Sequence, residues 1–293
     1  MRVLVVGAGG QLGRELAALH TVDRPIVALT RAQCDIAQPG NAYRALTENR
    51  ADVVVNCAAW TRVDAAESDR DGAFRANATA PQLLAQACHA HRARLIHLST
   101  DYVFDGTATH PIDEATPTHP LGVYGESKLA GEQAVRAYCS EHQIVRTSWL
   151  YGQDGPNFVL TMLRLGAERD EVRVVADQHG APTWTGHLAP ALLRLAERGT
   201  PGTYHLTNGG ETTWHAFAQA IMEAAGLHCS VVPISTEEYA APAPRPRYSV
   251  LDNSAWHLLG ELPLPPWEEG LRAYLEERRA RPSAGGPARP TPQ

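Results

Sequence analysis

Strand-sized apolar runs that alternate with amphipathic segments, and a glycine-rich turn joining the first of each, predict an α/β fold. The expected form is a Rossmann-type, doubly wound parallel sheet with a smaller C-terminal substrate-binding lobe. The 293 residues suffice for one large domain or two modest ones. A hydrophobic fraction of 44% and a charged fraction of 20% are ordinary for a globular chain, which excludes disorder throughout.

Each element follows from its own pattern. Residues 2–7 are a continuous Val/Leu run ending in glycine, a buried strand. Residues 10–20 read as a helix, with Leu12, Leu16 and Leu19 on one face. A strand at 25–30, a helix at 41–49 and a strand at 52–57 follow. Residues 65–90 read as helical in two parts, 94–99 as a strand, 128–140 as a helix and 143–149 as a fifth strand. Strands alternating with helices in this way form right-handed βαβ units with a parallel sheet. After residue 151 the segments shorten and proline and glycine rise, so 151–278 reads as a second lobe partly interleaved with the first domain, 1–150. The tail at 279–293 is rich in Pro, Gly and Ala and is expected to be disordered.

Composition also excludes function classes. The formal net charge is −6 with no basic block, which argues against nucleic-acid binding. No apolar run approaches the roughly 20 residues that span a bilayer. Nor does the start of the chain carry a signal-peptide pattern, so a cytoplasmic location is expected. The five cysteines are scattered and never paired as C-x-x-C, which fits a reducing compartment. Cys88, His89 and His91 read as the polar end of a helix over 81–92; no distant Cys/His pair completes a tetrahedron, and no metal site is assigned.

The first turn carries chemistry. Gly7, Gly10 and Gly13 form G-x-x-G-x-x-G between a strand and a helix, with Gln11 and Leu12 inside it. Glycines let the backbone approach a pyrophosphate, and the helix N-terminus offers free N–H groups, so this is a dinucleotide site. At the end of the second strand a carboxylate would bind the ribose hydroxyls of NAD, but this chain has Thr30 and Arg31. A guanidinium there favours NADPH, with NADH as the alternative; Asp35, with Ile36 beside it, is placed at the adenine. Ala58 and Ala59 end the third strand where a chain passes close to a cofactor, although packing explains two alanines equally well.

Thr100 and Asp101 end the fourth strand at the carboxyl edge of the sheet, where ligands bind in open α/β folds. Tyr124 and Lys128 stand at i and i+4 on one helix face. Lys128 is the only lysine among 26 basic residues. An ammonium beside a phenol is expected to lower the phenol pKa, so that the tyrosine can protonate a carbonyl as hydride arrives from a nicotinamide.

With these motifs in place, the chain resembles the extended short-chain dehydrogenases/reductases, and among them the dTDP-4-dehydrorhamnose reductase family. The likeness rests on Val63-Asp64-Ala65-Ala66-Glu67, Ser99 to Phe104, Tyr124 to Glu132, Arg146-Thr147-Ser148-Trp149, Asp177 to Thr183, Tyr204-His205-Leu206 and Arg245-Pro246, and spans residues 1 to about 275. It implies reduction of the C4 ketone of dTDP-4-dehydro-L-rhamnose, with Tyr124 as general acid and Lys128 as its ribose-binding partner. Thr100 would bond the substrate carbonyl with Asp101 beside it, Trp149 and Asn157 would line the sugar pocket, and Gln178 and Arg245 would face the nucleotide-sugar. For Trp149 a core aromatic, and for Arg245 a surface ion pair, stay open. The family is associated with magnesium through acidic residues at a dimer contact. Glu15 matches one of them, but residues 185–187 supply no acidic partner, so Mg2+ and the choice of monomer or homodimer stay open. Two alternatives remain: a reductase or epimerase of another nucleotide-deoxysugar, and a non-catalytic regulatory subunit on the same fold.

Overall fold

The computed structural model describes residues 1–281; residues 282–293 of the expected tail lie outside the described residues. Six parallel strands form the central sheet: β1 (Val3–Val6), β2 (Ile26–Leu29), β3 (Val53–Asn56), β4 (Arg94–Thr100), β5 (His142–Thr147) and β6 (Gly202–His205). Their order is β6-β5-β4-β3-β1-β2, so the direction of winding reverses between β1 and β3. In open α/β sheets the ligand crevice lies at that reversal, beyond the carboxyl ends of the strands.

The sheet is covered on both faces because side chains alternate along each strand. Val3, Val5, Val55 and Val145 pack on one side against Leu12 and Leu16 of α1 (Gln11–Ala18), together with a helix whose Leu188 and Leu192 return from the C-terminal half. Leu4, Val6, Val54 and Ile144 pack on the other side. There they meet α2 (Asn41–Asn49), α3 (Ala80–His91) and α4 (Val123–Tyr138) through Leu46, Leu84 and Val135. A separate core joins α5 (Phe158–Glu168) to helices of the C-terminal half through Val159, Phe217 and Tyr274. Those later helices are α6 (Thr185–Arg198), α7 (Trp214–Ala225) and α8 (Trp267–Ala280). A short parallel pair, Glu171–Val175 with Ser230–Ile234, belongs to the same region.

Several boundaries differ from the sequence pattern, each for a physical reason. Helix α4 begins at Val123 rather than residue 128, because the Glu67 carboxylate accepts the Val123 N–H at 2.9 Å and satisfies the first turn. The 65–90 stretch divides into Val63–Ser68, Arg70–Phe74, a π-helical turn at Arg75–Thr79, and α3. Asp69 restarts the second piece by accepting the Gly72 N–H at 2.9 Å. Strand β5 stops at Thr147, and two residues later Trp149 turns the chain at φ 47°. The expected tail begins too early, since Arg279 and Ala280 complete α8. Among the described residues, no helix is long and apolar enough to cross a membrane.

Candidate active site

At the switch point the first turn meets the loop after β3. Gly7 has φ 80°, and a Cβ there would sit 2.5 Å from the Ala58 nitrogen, so only glycine fits. A Cβ placed on Gly9 would meet nothing within 4 Å, which leaves that side of the turn open to a ligand. The resulting cleft has a volume of about 410 Å³. Gly7, Gly10, Ala58 and Ala59 line it on the turn side, and Arg31, Asp35 and Ile36 on the β2 side. Gly13 packs against the Gly7 carbonyl, and Leu12 sends its side chain into the core. Arg31 is 85% exposed and lies 3.8 Å from Asp35, a pair too solvated to hold it firmly. Arg75, on the π-helical turn, lines the same cleft; the sequence reading missed it because its helical segment had no legible bulge.

Gln11 leads away from the cleft. Its Oε1 accepts Asn157 Nδ2 at 3.0 Å, and Asn157 caps α5 by accepting the Leu160 N–H at 2.9 Å. These two residues therefore tie the first turn to the second lobe.

Tyr124 lies half-buried near the start of α4, edge-to-face with Tyr102 at 5.4 Å between ring centroids. Burial pushes its phenol up to about 12; the Thr100 hydroxyl pulls the other way and the Asp101 carboxylate adds to the rise. The expected lowering of this phenol by Lys128 is thus corrected. The Lys128 ammonium is turned into the sheet, donating to the Leu98 carbonyl at 2.5 Å. Burial drops Lys128 itself to about 8, with Glu132, one turn on, opposing the fall.

Thr100 donates to Asp101 Oδ1 at 3.1 Å and accepts the Tyr102 N–H at 3.2 Å. Asp101 is raised to about 6 by burial, resisted by the Ser249 hydroxyl, which donates to Oδ2 at 2.6 Å. Ser249, from the far end of the chain, belongs to the stretch after Arg245-Pro246 that carries the family likeness, but its contact with Asp101 was not legible in the sequence pattern. Asn77 was missed altogether: its amide bridges the Trp60 carbonyl and the Ser127 hydroxyl and so fixes the π-helical turn to α4.

Trp149 stacks on Trp214 at 3.6 Å with an interplanar angle of 8°, and Gly180 leaves room beneath the ring, where a Cβ would collide with it. Two other expected ligands have protein partners. Gln178 donates to Thr236 Oγ1 at 3.0 Å, and Arg245 grips both Asp64 oxygens at 3.0 Å. Both contacts cross between segments far apart in sequence, which is why the local pattern did not reveal them. The magnesium expectation gains no support. Among the described residues no group of three or more His, Cys, Asp or Glu side chains could hold a metal ion. Near Glu15, Asp154 and Glu277 instead pair with Arg281 at 3.5 and 2.9 Å.

The RmlD substrate binding domain family matches residues 1–280. The chain belongs to that family. A family relative, dTDP-4-dehydrorhamnose reductase of Streptomyces griseus, is 48% identical over 92% of this chain and 91% of its own length. A probable dTDP-4,6-dihydroxy-2-methyloxan-3-one 4-ketoreductase of Streptomyces antibioticus is 43% identical over 93% and 94%. The crystal structure of dTDP-4-dehydrorhamnose reductase from Bacillus anthracis str. Ames in complex with NADP superposes with a TM-score of 0.92. It is 41% identical and covers 94% of this chain and 99% of its own.

Proposed function

We propose that the chain is an NADPH-dependent reductase that converts the C4 ketone of dTDP-4-dehydro-L-rhamnose to dTDP-L-rhamnose. The observation that carries this is the contact of the Tyr124 phenol with Thr100, with Lys128 one helical turn on and beside Cys57 of the glycine-lined cleft, in a chain 48% identical to a dTDP-4-dehydrorhamnose reductase. The cleft suits the cofactor: Gly7 and Gly9 leave the backbone bare where a pyrophosphate would sit, and Arg31 stands where a 2′-phosphate would reach.

When bound, the nicotinamide supplies a hydride to C4 of the sugar. Tyr124, with its phenol at about 12, stays protonated at neutral pH and gives that proton to the C4 oxygen. Thr100 holds the Tyr124 phenol and the Asp101 carboxylate in one chain of contacts. Lys128 offers its ammonium to ribose hydroxyls while anchored on Leu98. Trp149, backed by Trp214, forms a flat wall suited to a sugar or base face. Turnover of NADPH by the purified chain with dTDP-4-dehydro-L-rhamnose tests this, with dTDP-L-rhamnose as the expected product. A second reading, a ketoreductase for another dTDP-deoxysugar, is favoured by the 43% identity to the Streptomyces antibioticus protein. Loss of NADPH only with a different keto-sugar nucleotide would select it.

A further inference from the structure

The cofactor cleft is walled from both faces of the sheet. Helix α1, which follows the glycine turn, packs on one face; α3, which continues the π-helical turn, packs on the other. On that second wall Gly72, Ala76 and Ala80 present nothing larger than a methyl group to the cleft, and Arg75 stands exposed beside them. The backbone under Arg75 is held firmly. Its N–H donates to the Asp71 and Gly72 carbonyls, and its carbonyl accepts the Ala80 N–H. Two residues on, buried Asn77 accepts the Trp60 N–H at 2.8 Å and donates to the Trp60 carbonyl and the Ser127 hydroxyl at 3.1 and 3.0 Å. Such π-helical insertions recur at functional sites.

The guanidinium on this fixed turn is unpaired. Among the described residues no carboxylate lies within ion-pair distance of Arg75, although Asp71 stands one turn back. Neighbouring arginines are committed elsewhere, Arg70 to Glu126 at 2.6 Å and Arg62 to the face of Trp60 at 4.5 Å. The charged residues lining the cleft are Arg31, Asp35 and Arg75. Arg31 and Asp35 stand together at the end of β2, on the side assigned to the 2′-phosphate and adenine. The glycine turn offers N–H groups but no cation of its own. Arg14 donates to the Gly9 carbonyl at 3.1 Å and faces Asp154, and Lys128 is turned to the Leu98 carbonyl. A diphosphate carries two negative charges, and a guanidinium binds such oxygens bidentately.

We propose that Arg75 reaches from the wall facing the glycine turn and binds the diphosphate of the cofactor, the anionic group that NADPH and NADH share. This rests on the cofactor cleft of the reductase proposed above. The two arginines then divide the work: Arg31 reads the 2′-phosphate and so discriminates, whereas Arg75 sets the affinity for both dinucleotides. Asn77 is a positioning residue for Arg75, since it pins the turn on which the guanidinium stands.

The test measures dissociation constants for NADPH and for NADH by calorimetry at low salt, with the thermal midpoint of each protein read alongside. Arg75→Met keeps the length of the side chain and removes the charge; Arg75→Lys keeps the charge and loses the fork. Arg75→Met is expected to raise both constants by the same factor, about tenfold, with Tm unchanged. Added salt shrinks that factor, and Arg75→Lys recovers part of the loss. Unchanged constants for both dinucleotides overturn the proposal. So does an effect confined to NADPH, which would place Arg75 at the 2′-phosphate, or a loss that tracks a lowered Tm. Failure of the unaltered chain to bind either dinucleotide would overturn the cofactor cleft itself, and with it this role.

Discussion

Glu132 and Arg146 form a bidentate ion pair with both side chains out of solvent: Arg146 Nε donates to Oε1 at 2.9 Å and Nη2 to Oε2 at 2.8 Å. Ser99 donates to the same carboxylate at 2.6 Å and Arg136 at 2.9 Å, so α4 is bolted to β4 and β5 directly behind Lys128. Removing one partner of such a pair strands the other charge in the interior. Glu132→Gln should lower the unfolding free energy by about 3–5 kcal/mol, measured by urea titration; a variant as stable as the parent would show the pair to be dispensable.

The same pair makes the fold acid-sensitive. Despite burial, which acts the other way, Arg146 and Ser99 hold the Glu132 carboxyl down to about 2, below its unfolded value of 4.5. A carboxylate lowered in the fold contributes stability above its unfolded pKa and loses it as pH falls through the folded one. Stability should therefore decline between pH 4.5 and about 2. The slope of that decline should be smaller in Glu132→Gln, as read from thermal midpoints across the range.

Tyr124→Phe keeps the ring packed against Tyr102 and removes the phenol hydroxyl, and with it the proton to be transferred. It should leave NADPH binding intact and cut kcat by about 10²-fold or more. Full activity would remove Tyr124 from the chemistry.

Lys128 sets an alkaline limit. Because burial holds its ammonium at about 8, the charge is present below that pH and lost above it. Lys128 is assigned to the ribose hydroxyls, so kcat/KM for NADPH should fall as pH rises through about 8. Tyr124, at about 12, contributes no limb below pH 10. A profile flat to pH 10 would contradict this.

Much of this site was legible in the sequence, and the rest was hidden for a common reason. The Gly7 turn, the Thr100 strand end and the Tyr124/Lys128 spacing are local patterns that backbone geometry enforces, and the structure brings them to one edge of the sheet. Ser249 on Asp101, Trp214 on Trp149 and Asp64 on Arg245 join segments 65 to 181 residues apart, beyond the reach of periodicity. The phenol pKa was misjudged because helical spacing puts Lys128 below Tyr124 without fixing where its ammonium points. Nearby, Asp69 and the Arg75–Thr79 turn divide into four pieces a stretch that apolar spacing alone presented as two.

In the function proposed above, cofactor choice turns on Arg31. With its guanidinium 85% exposed at the end of β2, Arg31→Ala should raise the KM for NADPH several-fold and leave that for NADH nearly unchanged. Equal effects on both would place the 2′-phosphate elsewhere.

The most direct measurement mixes the purified chain with dTDP-4-dehydro-L-rhamnose and follows NADPH absorbance, with NADH in parallel and the product identified. Rapid NADPH consumption that yields dTDP-L-rhamnose is expected. Binding of NADPH without consumption of this sugar would contradict the proposed reaction while leaving the fold and the cofactor cleft as described.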